Sequence, residues 1–388
     1  MKKAHKRLGL GVPLALVAAS LLAIATTPQA TAASVPNACG SQIQAQARAQ
    51  GLSGVMQAIG KCPNKAAAAI RASDPANGTP PLLFHGGPVM DTPSTGPVVV
   101  TPIFWSPPGH AMSAYYKILL SVYLGDVALA SGQNSNVFSV AKEYYGINGQ
   151  IRYQMRLGFP ILDSHPLPAD GCQVASTDTS GIYADNSGYN ACLDDAQIQA
   201  ETDRVTAARS LPHNLSHIYV IYLPKHVESC FIAGSTTTKA NACTINYQPS
   251  AAYCAYHSDA TSNAIYANMP YPIYLSKTGF SCGTDINFPG VIESPNGNPD
   301  ADTEISPTSH EISEAITDPD TVTGWYDSSG FENGDECAYI FGQTHGSAGH
   351  LYNQDINGLH FLTQEEFSNR DFALTGGGCV QSASAEAP

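Results

Sequence analysis

The sequence predicts an α+β fold: a mixed β-sheet carrying one principal helix, rich in loops and stapled by disulfides. Three observations predict it. Residues 97–105 (PVVVTPIFW) and 217–223 (HIYVIYL) are β-rich apolar runs and read as strong strands. Residues 306–319 (SPTSHEISEAITDP) follow them with a helical pattern. The chain of 388 residues holds 34 glycines, 27 prolines and ten cysteines with only 13% charged residues, a composition of loop-rich extracellular folds.

In chain order, residues 1–33 read as a secretory signal peptide. Lys2, Lys3, Lys6 and Arg7 form its basic region, 8–25 its apolar run, and Ala30-Thr31-Ala32 a small-residue cleavage site. No later stretch is long or apolar enough to predict a membrane span. Loss of those four basic residues makes the exported chain four charges more negative than the full chain's −14. That balance argues against nucleic acid or an anionic membrane as partner and suits a soluble exported protein or one that binds cations, with a monomer expected.

Residues 34–81 are a separate Ala/Gln-rich segment, helical near 41–60 and 64–72, closing on the linker 74–81 (DPANGTPP). It reads as a propeptide, a docking hairpin or a plain N-terminal extension. Residues 82–388 form the single main domain. Its first motif is His85-Gly86-Gly87-Pro88-Val89-Met90, where a turn shaped by glycines is the plainer reading and a substrate contact through His85 the bolder one.

A helix is predicted over 111–132, with Tyr115, Ile118, Leu119, Val122 and Val127 as its core stripe. Residues 137–145 and 151–155 read as further short segments and 163–190 as loop. A surface helix is predicted over 196–210, and shorter strands over 253–257 and 264–269. Asp300, Asp302 and Glu304 lack the full EF-hand pattern and read as an acidic loop favouring the start of the next helix.

The helix at 306–319 carries the chemistry. Ser306 suits its N-cap and Pro307 its first position, and Pro319 ends it. Ile312, Ala315 and Ile316 face a core. His310 and Glu314 stand one turn apart on one face, so an imidazole and a carboxylate can hold one divalent cation. Glu311, one step round, reaches a water on that cation. This is the logic of the H-E-x-x-H zinc-protease helix with Glu for the second His, and it makes the predicted sheet zincin-like. An ordinary amphipathic helix with solvated carboxylates is the competing reading.

Ten cysteines without a C-x-x-C pair read as disulfides. Connectivity stays open, with Cys39–Cys62, Cys172–Cys192 and Cys337–Cys379 as local pairings. No G-x-S-x-G elbow is present, and paired cysteines exclude a thiol nucleophile. His345, His350 and His360 read as structural, with a ligand role as the alternative. The turn Asn357-Gly358 joins two strands within 353–362.

Taken in order, the HGGPVM stretch, the strand ending Phe104-Trp105, HEISEAITDP, Trp325-Tyr326, Glu332-x-x-Asp335-x-Cys337, Asn357-Gly358 and Cys379 span most of 85–380. This ordered set resembles the phosphate-induced protein 1 / EXORDIUM family of secreted proteins, bacterial members above all. The chain departs from the plant members at Asp318, where they carry Asn, and near Pro307. The resemblance implies an extracellular protein of the cell surface or matrix, with no settled enzymatic activity. It also draws attention to the acidic loop after the helix as the source of a third ligand, Asp335 or Glu332. Asp335 is favoured because it stands beside Cys337.

With His310, Glu314 and that ligand holding a metal and Glu311 as base, the reaction is metal-assisted hydrolysis, most simply of a peptide bond. Zinc fits the ligand set; manganese and calcium fit as well. The alternative is a non-catalytic EXORDIUM-like protein that binds a wall or matrix polymer.

Overall fold

A computed structural model of the chain describes residues 44, 47, 48, 52–58, 81–172, 181–232, 241–244, 253–276, 281–286 and 290–384. All lie in the unit Asn37–Pro388. The leader 1–33, the pair Cys39–Cys62, the helical stretch 64–72 and the linker 74–80 lie outside the described residues.

Seven strands form the main sheet: β1 (Ser53–Gln57), β2 (Val98–Trp105), β3 (Met155–Leu157), β4 (Ile161–Asp163), β5 (His217–Tyr222), β6 (Tyr253–Asp259) and β7 (Ile265–Met269). Their order is β1-β6-β7-β5-β2-β3, with β4 also paired to β2. The centre is parallel: β5 runs parallel to both β2 and β7. The far side turns antiparallel, β6 against β7 and β1 against β6.

β2 is a nearly continuous apolar run because both its faces are covered. Pro102 sits within this central strand without breaking it. On one side β2 pairs with β3 through Val98–Val100 and then with β4 through Ile103–Trp105. The proline falls in the gap between those two partners, where a missing N–H costs no ladder bond.

Alternation along β5 sorts the core. Ile218, Val220 and Tyr222 enter one apolar cluster, Tyr219 and Ile221 the other. The first cluster takes helix α1 (Ala114–Leu129) and the second takes α2 (Asp195–Ala207), which opens with a capping box between Asp194 and Gln197. Helix α3 (Pro299–Thr317) packs into the first cluster through Ala301, Ile305, Ile312, Ala315 and Ile316. Among the described residues no helix is long and apolar enough to cross a membrane.

Three expectations change. The core stripe of α1 is Tyr116, Leu119, Leu120, Tyr123, Leu124 and Val127, while Tyr115 and Ile118 are exposed. The run AYYKILLSVYL is apolar enough for two stripes, and packing against the sheet and α3 selects one. Residues 53–57, expected as helix, are strand β1; among the described residues of that stretch, Gln44, Ala47 and Arg48 are helical. Val55 and Met56 are buried against the edge of the sheet, and that tertiary pairing overrides the local propensity.

The third change is the start of α3. The helix begins eight residues before Pro307, capped by the Asn298 side chain on the Ala301 amide, with Pro299 in its first turn and Asp300 and Asp302 beside it. Pro307 lies inside the helix. The Ser306 hydroxyl, expected as a cap, accepts the Gln364 amide instead. A buried proline inside a helix loses one backbone bond, and packing of every residue from Ala301 to Thr317 offsets it.

Four disulfides join the described cysteines: Cys172–Cys192, Cys230–Cys243, Cys254–Cys282 and Cys337–Cys379. Two of the expected local pairings are among them.

Candidate metal centre

The C-terminal half of α3 presents His310, Glu311 and Glu314, and Pro319 ends it as expected, with Asp318 as C-cap. All four side chains are fully buried. Two further elements close on them. One is the loop after the helix, with Glu332 and Asp335, tied down by Cys337–Cys379. The other is β6, which brings His257.

Two three-residue sets have ligand atoms within 4.8 Å of one another: His310, Glu314 and Asp335; and His257, Glu311 and Glu314. Glu314 joins them. Its Oε1 lies 3.0 Å from His310 Nε2 and its Oε2 lies 3.9 Å from His257 Nδ1. Asp335 Oδ1 is 3.7 Å from His310 Nε2, and the Asp335 amide donates to Glu314 Oε1 at 2.8 Å. His257 Nδ1 is 3.3 Å from Glu311 Oε2, and its Nε2 is 3.0 Å from the Asp318 carbonyl and 3.8 Å from Glu332 Oε2.

Of the two candidates for a third ligand, Asp335 therefore joins His310 and Glu314, whereas Glu332 stands on the His257 side. Gly334 makes the close fit possible. A Cβ there would lie 2.9 Å from the His310 ring and from Glu314 Oε1.

The cluster is rich in buried carboxyl groups. Glu311, Glu314, Asp318, Glu332 and Asp335 are buried together, and one cation, Arg48, approaches them at 3.4 Å from Glu332 and 3.7 Å from Asp318. Glu311 Oε1, Glu314 Oε2, Glu332 Oε2 and both Asp318 oxygens have no hydrogen-bond partner. Burial, and then the neighbouring carboxylates, push Glu311, Asp318 and Glu332 well above the usual range. Burial lowers His257 to about 4, against the pull of Glu314. At His310 burial also opposes the charge, but Glu314, Asp335 and Gln364 outweigh it and the pKa rises. Carboxyl oxygens without partners facing imidazoles are a donor set able to hold a cation.

Other candidates stand elsewhere. His85 stacks on Tyr326 with ring centroids 3.6 Å apart, and Gly86 and Gly87 both take positive φ, as a turn requires. Asp300 accepts from the Tyr271 and Tyr274 hydroxyls, and Asp302 from Ser294 and Asn296. His350 contacts the Ser294 carbonyl, and His360 stacks on Tyr352.

Sequence reasoning missed His257 and Arg48. The only signal for His257 was a histidine in a short strand ahead of the helix. Arg48 stood in a segment read as a detached extension. Comparison with protein-family models, with curated proteins and with solved structures finds no match for the chain.

Proposed function

We propose that the chain is a secreted metal-dependent hydrolase of metallopeptidase type, zincin-like in arrangement and related to the phosphate-induced protein 1 / EXORDIUM proteins. One observation carries the reading: His310, Glu314 and Asp335 converge, with Glu311 beside them and orphaned carboxylate oxygens between. A divalent cation held there would lower the pKa of a bound water towards about 7 and polarise a carbonyl.

The remaining work falls to the chain. Glu311 takes a proton at Oε1, the oxygen without a partner, and returns it to the leaving amine. His257 contacts the other oxygen, Oε2, and orients the carboxylate. β6 stands beside the helix, and the side of it now paired with β1 would hold an extended peptide by main-chain hydrogen bonds if β1 were displaced. The His310 imidazole beside two carboxylates suits zinc and also manganese, and a nitrogen donor disfavours calcium. The leader and the disulfides support export, and the acidic charge favours a peptide or a wall or matrix polymer over nucleic acid.

The complete burial of the cluster favours a second reading, a non-catalytic extracellular protein in which a metal only holds the fold. Elemental mass spectrometry of the exported protein tests the site first. The expected result is about one zinc per chain, lost in His310→Ala. Absence of metal in the wild type, even after zinc is offered, sinks both metal readings. Peptide turnover abolished by Glu311→Gln with zinc retained, in the exported chain or in Arg48→Ala, selects the hydrolase; zinc without Glu311-dependent turnover in either selects the structural role.

A further inference from the structure

The cluster is closed by the chain's own N-terminal segment, and the contacts are those of a peptide in a cleft. β1 lies antiparallel on β6, which would otherwise be the edge of the sheet. Its ladder slips between Ser53 and Val55, so Gly54 bulges out of register, at φ +51°. The bulge carries the Gly54 backbone against the two metal sets. A Cβ there would lie 2.1 Å from His257 Nδ1 and 2.3 Å from Glu314 Oε2, so only glycine fits. The Gly54 amide donates to Glu332 Oε1 at 3.0 Å. Gln44 Nε2 donates to Asp335 Oδ2 at 2.7 Å, and Arg48 spans Glu332 and Asp318.

This short stretch thus contacts Asp318, Glu332 and Asp335 and brings Gly54 against Glu314 and His257. One of these contacts is a main-chain amide on an edge strand, which is how an extended peptide is held whatever its side chains. The segment is joined to the main domain by 59–81, with three basic residues and the DPANGTPP linker.

Resting on the metallohydrolase reading, we propose that the groove along β6 binds an extended peptide with glycine at the metal cluster, and that residues 52–58 occupy it in cis as a built-in inhibitor. Two roles follow. The substrate is a peptide strand with a glycine at the reacting centre. Activity requires release of the chain's own strand.

The test uses the exported chain, Gly54→Ala, whose new methyl group clashes with His257 and Glu314, and Arg48→Ala, which loosens the clamp without adding bulk. Zinc content, the rate of zinc removal by a chelator, and hydrolysis of a glycine-containing peptide library are measured. Circular dichroism checks the fold of each variant. Both variants are expected to lose zinc to the chelator and to hydrolyse peptides roughly tenfold faster or more. The synthetic heptapeptide Leu-Ser-Gly-Val-Met-Gln-Ala should suppress that gain, and the same peptide with alanine at its third position should not. Its effect on the loosened Arg48→Ala chain gives a reading if Gly54→Ala misfolds. Zinc in all three proteins with equal exchange and equal turnover overturns the proposal and leaves the metal reading standing. Inhibition by both peptides alike also overturns it. Zinc in none of the three overturns the metal reading, and this proposal with it.

Discussion

Two acidic clusters in this molecule are built from the same residue types and end differently. At the sheet's other side, Asp163 and Glu201 share Arg204, whose Nη2 lies 2.6 Å from Asp163 and 2.5 Å from Glu201, with Nε at 2.9 Å from Glu201. There burial works against Asp163, but hydrogen bonds from Glu201 and Arg204 hold its carboxyl below the usual range. In the cluster on α3, five carboxylates meet one guanidinium at longer range, and several oxygens have no partner. A charge cluster satisfied by its own chain is a structural feature. One left unpaired in a dry interior either holds its protons or offers its oxygens to the cation proposed above.

The largest effect that sharpens this contrast is catalytic. In the Arg48→Ala chain, Glu311→Gln should lower peptide turnover by about 10²–10⁴-fold, the range of a general base, while the melting temperature holds. A fall in stability without loss of turnover would place Glu311 in the fold alone.

Next comes metal linkage. Zinc at about a hundred times its dissociation constant should stabilise the wild type by roughly 3 kcal/mol, and a chelator should remove that gain. Glu314→Gln should abolish the response, because Glu314 belongs to both ligand sets. An unchanged zinc response in that variant would show the metal to bind elsewhere.

The satisfied cluster should answer to neither zinc nor chelator. Arg204→Ala should instead cost on the order of 1 kcal/mol in denaturant melts, a modest figure because the guanidinium is 36% exposed and screened by water. A loss as large as that of a buried core residue would mean that this pair is less screened than its exposure indicates.

A further effect, confined to one pH window, concerns a single carboxyl. Burial pushes the Glu365 carboxyl up to about 7, above its unfolded value. The protonated form favours the folded state, so this contribution is present below the unfolded pKa and is lost as pH rises through about 7. Glu365→Gln should flatten that part of the stability profile. A slope identical to wild type would assign the dependence to another group.

The legible part of the site was local. His310 and Glu314 could be paired because a helix places positions four apart on one face, and Pro319 could be read as its end. Asp335 was legible through Cys337, whose disulfide ties the acidic loop down. The start of α3 was misread because Pro307 looks like a first-turn proline, and nothing local says that burial of the whole helix will tolerate it inside. The stripe of α1 was misplaced by one position because Tyr115 and Tyr116, like Ile118 and Leu119, are equivalent until a neighbour chooses between them.

By itself the sequence determined a mixed α/β chain with disulfides, a helix with a histidine and a carboxylate on one face, and strands strong enough to be central. Short-range rules suffice for these, since periodicity and proline act within a few residues. Only the tertiary structure decided that His257 reaches Glu311 and Glu314 from a strand more than fifty residues upstream, that Asp335 rather than Glu332 joins His310, and that Gly54 closes the cluster. Those contacts depend on sheet order and strand register. Both are set by the burial of many residues at once, and no single stretch of chain encodes them.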